Sequence, residues 1–171
     1  MRRSLSTGLG SLLMLYATSA FSQGNSDIFY GGTLGLGFGD VDYVEISPML
    51  GKNLSPQLAA GGSLIFRHRS DDRYQQKLTT DDYGFSLFGR YRATPTTFAQ
   101  VEYEYLDYEF YKVNLTKDSD TANSVFVGGG VNSAVNRNTA LFMTVLYNVL
   151  YDNDSPYDSP WVIRFGVGVG F

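Results

Sequence analysis

Hydrophobic and polar residues alternate with a period of two along most of this chain, and the clearest run is the last one. Trp161, Ile163, Phe165, Val167, Val169 and Phe171 fall on one side of it, and Val162, Arg164, Gly166, Gly168 and Gly170 on the other. A run near the start repeats the pattern, with Ile28, Tyr30, Leu34, Leu36 and Phe38 set against Phe29, Gly31, Thr33, Gly35 and Gly37. Strict alternation places successive side chains on opposite faces of an extended backbone, so each run reads as a strand with one apolar face. Eight such runs, bounded by clusters of Gly, Pro, Asn, Asp or Ser, lie at roughly 27–38, 41–51, 57–68, 82–93, 97–111, 123–134, 139–151 and 160–171. No helical periodicity of useful length competes with them.

In a soluble sandwich the apolar faces would meet in a core. Here the opposing faces carry glycine and charge, which suits a barrel whose apolar side meets lipid and whose other side fills a lumen. Pairing the first strand with the last closes the sheet and leaves no edge. Ten steps from Trp161 to Phe171 at about 3.3 Å each, tilted by about 40°, rise roughly 25 Å, the height of the apolar band of such a barrel. The expected fold is an all-β, eight-stranded antiparallel up-and-down transmembrane β-barrel.

Connection lengths alternate in the same sense. Short links (Asn53 to Pro56, Thr94 to Thr96, Val135 to Asn138) follow strands two, four and six, and longer polar ones (Arg69 to Asp81, Lys112 to Ala122, Asp152 to Ser159) follow strands three, five and seven. Short periplasmic turns and longer outer loops place both termini in the periplasm. The first outer connection, around Gly39 and Asp40, is very short. Two positions fit badly. Pro48 cannot donate to a ladder, so a bulge or a frayed end is expected there. In strand five the outward parity of Ala99, Val101, Tyr103 and Tyr105 fails at Asp107, where Leu106, Tyr108 and Phe110 take over, so either a bulge switches the face or the strand rises above the membrane.

The start of the chain is a targeting segment. Arg2 and Arg3 precede an apolar run, Leu9 to Ala17, and Ala20-Phe21-Ser22 offers small residues where a signal peptidase cuts. Residues 1–22 are read as a signal peptide and 23–171 as the barrel domain. The apolar run is shorter than the roughly 20 residues a spanning helix needs. Cleavage removes two arginines and no acid from a chain of formal charge −4, so the mature protein is more acidic still, which argues against a nucleic-acid partner. With no cysteine there is neither a disulfide framework nor a thiolate metal site.

An exported chain, eight alternating strands with this loop asymmetry, and the closing strand from Trp161 to Phe171 together resemble the small outer-membrane barrel superfamily that includes the OmpA membrane domain and OmpX. The resemblance covers essentially the whole mature chain and is one of pattern. It implies a location in the bacterial outer membrane, contact with outer-membrane lipid and lipopolysaccharide, and insertion by the barrel-assembly machinery. The terminal strand is the signal such machinery reads in this superfamily, which carries over to Phe165, Val167, Val169 and Phe171. Unlike OmpA, the chain is expected to have no peptidoglycan-binding domain after the barrel.

Strand parity sends Arg67, Arg90, Arg92 and Arg164 inward together with Glu45, Glu102 and Glu104. An eight-stranded lumen holds little beyond side chains, and an unpaired buried charge costs several kcal/mol, so these residues are expected to form a paired charge network that plugs the barrel. A narrow pore for ions or small solutes is the alternative. The inward glycines at 35, 37, 128, 130, 166 and 168 are expected to make room for Arg and Tyr side chains.

His68, the one histidine, precedes Ser70 by two positions, with Asp81 or Asp82 on the next strand, an order of base, nucleophile and orienter that resembles barrel-type lipid A deacylases. The residues after Ser70 are acidic, the third member is Asp rather than Glu, and Arg67 and Arg69 disfavour an imidazolium, so a rim histidine near lipopolysaccharide headgroups is the reading adopted. Asp71, Asp72, Asp81, Asp82, Asp118, Asp120, Asp152, Asp154 and Asp158 make the outer loops acidic. The run from Asp152 to Asp158 lacks the mid-loop Gly and terminal Glu of a calcium hand, so no metal site and no cofactor are expected. Asn114-Leu-Thr116 is a sequon without weight here. Tyr83, Tyr91, Tyr103, Tyr105, Tyr147, Tyr151 and Trp161 are read as interface girdles. A monomeric, non-enzymatic structural or surface protein is the expected function, with adhesion through the outer loops as a further alternative.

Overall fold

Eight antiparallel strands close on themselves in the computed structural model, which describes residues 27–37, 41–71, 78–111, 116–152 and 155–170. They are β1 (Ile28–Gly37), β2 (Val41–Asn53), β3 (Leu58–Asp71), β4 (Leu78–Arg92), β5 (Thr97–Tyr111), β6 (Lys117–Ala134), β7 (Thr139–Asn148) and β8 (Trp161–Val169). Each strand pairs with the next, and β8 returns to β1 from Tyr30↔Val169 to Gly35↔Arg164. The two runs with the cleanest alternation thus close the barrel. The segment read as a leader, with Phe38, Gly39, Asp40, Asp72, Asn114, Asp154 and Phe171, lies outside the described residues.

Exposure follows strand parity. Leu34 on β1, Ile46 on β2 and Leu64 on β3 are 52%, 56% and 56% exposed, and Phe85, Val101, Val127, Val145 and Ile163 extend the belt around the remaining strands. An apolar surface that circles the whole molecule is what a lipid solvent permits and water does not. Aromatics border it: Tyr147 stands 4.9 Å from Trp161, and Phe66 stands 6.1 Å from Tyr83 on the neighbouring strand. Tyr151 departs from the expected girdle. It packs against a buried cluster inside the barrel, because the chain has already left β7 and turned over the lumen.

The two misfits resolve without bulges. Gly32↔Pro48 stays paired on the β1 side, while the β2–β3 ladder steps from Ile46↔Phe66 to Met49↔Ser63 in unchanged register. Proline removes a donor but adds no residue, so the ladder has a gap and no shift. Along β5 both ladders run in constant register, and β5–β6 continues through Asp107↔Thr121 to Tyr111↔Lys117. The strand therefore rises beyond the apolar belt. The same continuation shortens the expected loops: Arg69 to Asp71 pair with Thr80 to Leu78, so much of the polar 69–81 segment is hairpin.

Inside, two apolar layers form. Near the short turns, Phe29, Met49, Phe88, Phe98 and Phe142 pack together. Toward the long connections, Phe126, Leu146 and Val162 enclose Tyr157. The inward glycines serve the rings of the first layer: a Cβ at Gly166 would strike the Phe142 ring and one at Gly130 the Phe98 ring. Gly35 makes room for Glu45 on the adjacent strand. Gly37 makes room for the Tyr43 ring, as expected for tyrosine, while no arginine is among the nearest neighbours of Gly35, Gly37, Gly130 or Gly166.

Candidate functional site

Between the two apolar layers lies a block of charge. Glu45 from β2, Glu102 and Glu104 from β5, Arg67 from β3 and Arg164 from β8 all occupy inward positions and are buried. Arg164 reaches three carboxylates: its Nε lies 3.1 Å from Glu45, its Nη1 2.7 Å from Glu102 and its Nη2 2.8 Å from Glu104. Arg67 Nη2 donates to Glu45 Oε2 at 2.6 Å and stands 3.8 Å from Glu104. Ser47 donates to the other Glu45 oxygen at 3.0 Å. Two guanidiniums thus serve three carboxylates, and each buried acid has at least one guanidinium in contact.

The third acid leads on to a third arginine. Gln100 donates its amide to Glu102 at 2.6 Å and accepts from Arg90 Nε at 2.7 Å. Arg90 lies over the rings of Phe88, Phe98 and Phe142 at 4.6 to 4.9 Å. Its charge is met by ring faces and one amide rather than by a carboxylate in contact. Below the network, a space of about 20 Å³ beside Ser63, Ser86 and Thr144 is wide enough for a single water. At the turn end another of about 30 Å³ lies beside Arg90 and Phe98.

Tyr157 closes the block from above. It stands on the connection between β7 and β8, accepts from Arg67 Nη2 and donates to Glu104 Oε1. Its ring meets Phe126 edge-on at 5.6 Å, and Arg67 lies 4.4 Å from the ring centre. Burial raises the phenol well above its usual range, so it remains a neutral donor. Parity could not find this residue, because it belongs to no strand. The one sequence signal was an aromatic in an otherwise polar connection, Asp152 to Ser159.

No family model matches the chain, and no curated protein matches it. Among solved structures, the N-terminal β-barrel domain of Pseudomonas aeruginosa OprF matches with a TM-score of 0.55 at 12% identity, over 85% of this chain and 98% of that one. Ail, the attachment invasion locus protein of Yersinia pestis, in complex with the heparin analogue sucrose octasulfate, matches with a TM-score of 0.50 at 14% identity, over 85% and 95%. The fold is that of the eight-stranded outer-membrane barrels. At these identities the likeness extends to the fold alone.

The remaining candidates divide around that barrel. Arg92 shares the parity of Arg90 but sits at the turn end, where among the described residues it reaches the Pro56 carbonyl at 3.5 Å and none of the network's carboxylates. His68 Nδ1 contacts Asp81 Oδ1 at 2.7 Å on the exposed side of the β3–β4 hairpin. Asp82 points the other way, buried against Arg69 Nε at 2.7 Å. Ser70 shares the outward parity of His68, but its hydroxyl has no hydrogen-bond partner among the described residues, so base and nucleophile are not joined. Phe165 and Val167 face outward on β8, and Val169 is half-buried where it pairs with both Tyr30 and Thr139.

Proposed function

We propose that this chain is a non-enzymatic protein of the bacterial outer membrane whose barrel is a closed structural element rather than a conduit. The observation that carries the reading is the stacking of the lumen: a buried network of ion pairs lies between an aromatic layer at the turn end and a Tyr157-centred layer at the other. A solute would have to break buried ion pairs and then displace packed rings, and either step costs several kcal/mol. Residues 1–22 act as the export signal, the barrel-assembly machinery reads the β8 strand, and the mature chain inserts as a monomer with both termini in the periplasm, surrounded by outer-membrane lipid and lipopolysaccharide. Deleting the gene tests the role. Cells without it are expected to become more sensitive to detergents and bulky hydrophobic antibiotics while small-solute uptake is unchanged; a loss of solute uptake would instead mark a pore.

A second reading rests on the β3–β4 and β5–β6 hairpins, which continue beyond the apolar belt; the β5–β6 hairpin presents Asp107, Asp118 and Asp120, with Glu109 held by Lys117 at 2.5 Å. Such a surface suits contact with a cationic or neutral partner and repels a polyanion, unlike the Ail complex with its octasulfate. Shortening segments 69–81 and 112–122 would abolish binding to cells if adhesion is the role.

A further inference from the structure

The seam between β1 and β8 closes over only part of its length. Its ladder ends at Gly35↔Arg164. One step farther in the same register would set Leu36 opposite Ile163, yet Leu36 and Gly37 pair only with Val44 and Tyr43 of β2, and Trp161 to Ile163 pair only with Tyr147 to Val145 of β7. Between the two parted edges lies a cavity of about 180 Å³. Its outer wall is Leu36, Ile163 and Trp161, all exposed on the lipid-facing side. Its floor is Tyr43 and Tyr157, whose rings meet edge-on at 6.3 Å with the Arg67 guanidinium behind both. The opening therefore joins the membrane side of the barrel to the top of the lumen plug and goes no farther.

Gly37 is part of this design. A Cβ there would strike the Tyr43 ring, so glycine is what lets that ring lie where it forms the crevice floor.

We infer that this crevice is a binding site for the alkyl chain of a membrane lipid, entering sideways from the leaflet at the loop end. Its mouth is continuous with the apolar belt, so what it meets first is lipid and not water. Its walls are aliphatic and indole, its floor aromatic, and Ser159 and Asp158 stand at its rim, where a lipid's polar part would lie. The volume is below the roughly 300 Å³ at which drug-sized sites begin, which suits a segment of one chain rather than a whole molecule. The inference rests on the membrane reading of the barrel, and its test separates the two.

The intact mature protein is reconstituted in bilayers containing a phospholipid with a diazirine on one acyl chain a few carbons from its carbonyl, irradiated, and mapped by mass spectrometry. Labels are expected on Tyr43 and Tyr157, which a chain reaches only through the seam, as well as on the lipid-facing control Tyr103. Leu36→Trp, which fills the mouth, is expected to reduce the labels on Tyr43 and Tyr157 to the level of an unirradiated sample and to leave Tyr103 labelled. Label on Tyr103 without Tyr43 or Tyr157 in the wild type would overturn the crevice. Label on none of the three would overturn the membrane reading and the crevice with it. Labelling of Tyr43 and Tyr157 by a free diazirine fatty acid but not by the phospholipid would overturn a bilayer lipid as the occupant.

Discussion

Tyr157, on the connection between β7 and β8, donates its phenol hydrogen to Glu104 of β5, 53 positions earlier in the chain. The same hydroxyl accepts from Arg67, so one loop residue completes the charge network that the strands leave open at the top. A connection that would otherwise lie on the surface is thereby drawn over the lumen, with Tyr151 following it against the Phe126 layer.

Two substitutions separate the hydroxyl from the ring. Tyr157→Phe keeps the packing and strips a buried carboxylate and a guanidinium of one partner, an expected loss of about 1–3 kcal/mol. Tyr157→Ala also empties the ring's volume and is expected to cost about 3–5 kcal/mol. Urea unfolding of the folded barrel in detergent micelles measures both. Equal losses from the two variants would show that the ring contributes nothing to the closure.

Arg164 and Arg90 are predicted to be unequal. Removing Arg164 leaves Glu102 with the Gln100 amide and no guanidinium in contact among the described residues, and Glu45 and Glu104 with Arg67 alone, so Arg164→Met should destabilise by about 3–5 kcal/mol. Arg90 has aromatic faces and Gln100 for neighbours, and an apolar chain of similar length suits that setting. Arg90→Met should therefore be close to neutral. The same unfolding series decides it, and a loss at Arg90 as large as that at Arg164 would mean that its charge is coupled to Glu102 through Gln100.

Pro48 leaves a gap in the β2–β3 ladder without moving its register. Pro48→Val supplies the missing N–H on an outward position and is expected to stabilise the barrel by about 0.5–1.5 kcal/mol. A lower unfolding midpoint in the variant would show that the gap has some other cause.

Ser70→Ala is expected to leave the cell's lipid A unchanged by mass spectrometry, because the Ser70 hydroxyl and His68 make no hydrogen bond. Loss of a deacylated species in the variant would turn the His68–Asp81 pair into the start of a catalytic triad.

The barrel was legible in sequence where one face of a strand is apolar and the other small or charged. That is why β1 and β8 could be paired from their alternation, and why Glu45, Glu102, Glu104, Arg67 and Arg164 could be sent inward by parity. Beyond the apolar belt the outward face of a strand is polar as well, so Lys117 to Ala122 and Leu78 to Asp81 lose the two-residue signal and read as loop, although their ladders continue. Parity also gives side without height. Arg90 and Arg92 point the same way, but one lies among three rings and the other at the turn end. Tyr157 escaped because a residue that folds in from a connection obeys no strand periodicity, and the seam crevice because it depends on where a ladder stops.

Conductance across a planar bilayer tests the closed lumen most directly. The purified, folded wild-type protein is predicted to give no current steps at high salt, and Tyr157→Ala combined with Phe29→Ala and Phe142→Ala, which thins both apolar layers, is predicted to give them if the variant still folds. Sustained, protein-dependent steps from the wild type would contradict the closed barrel outright.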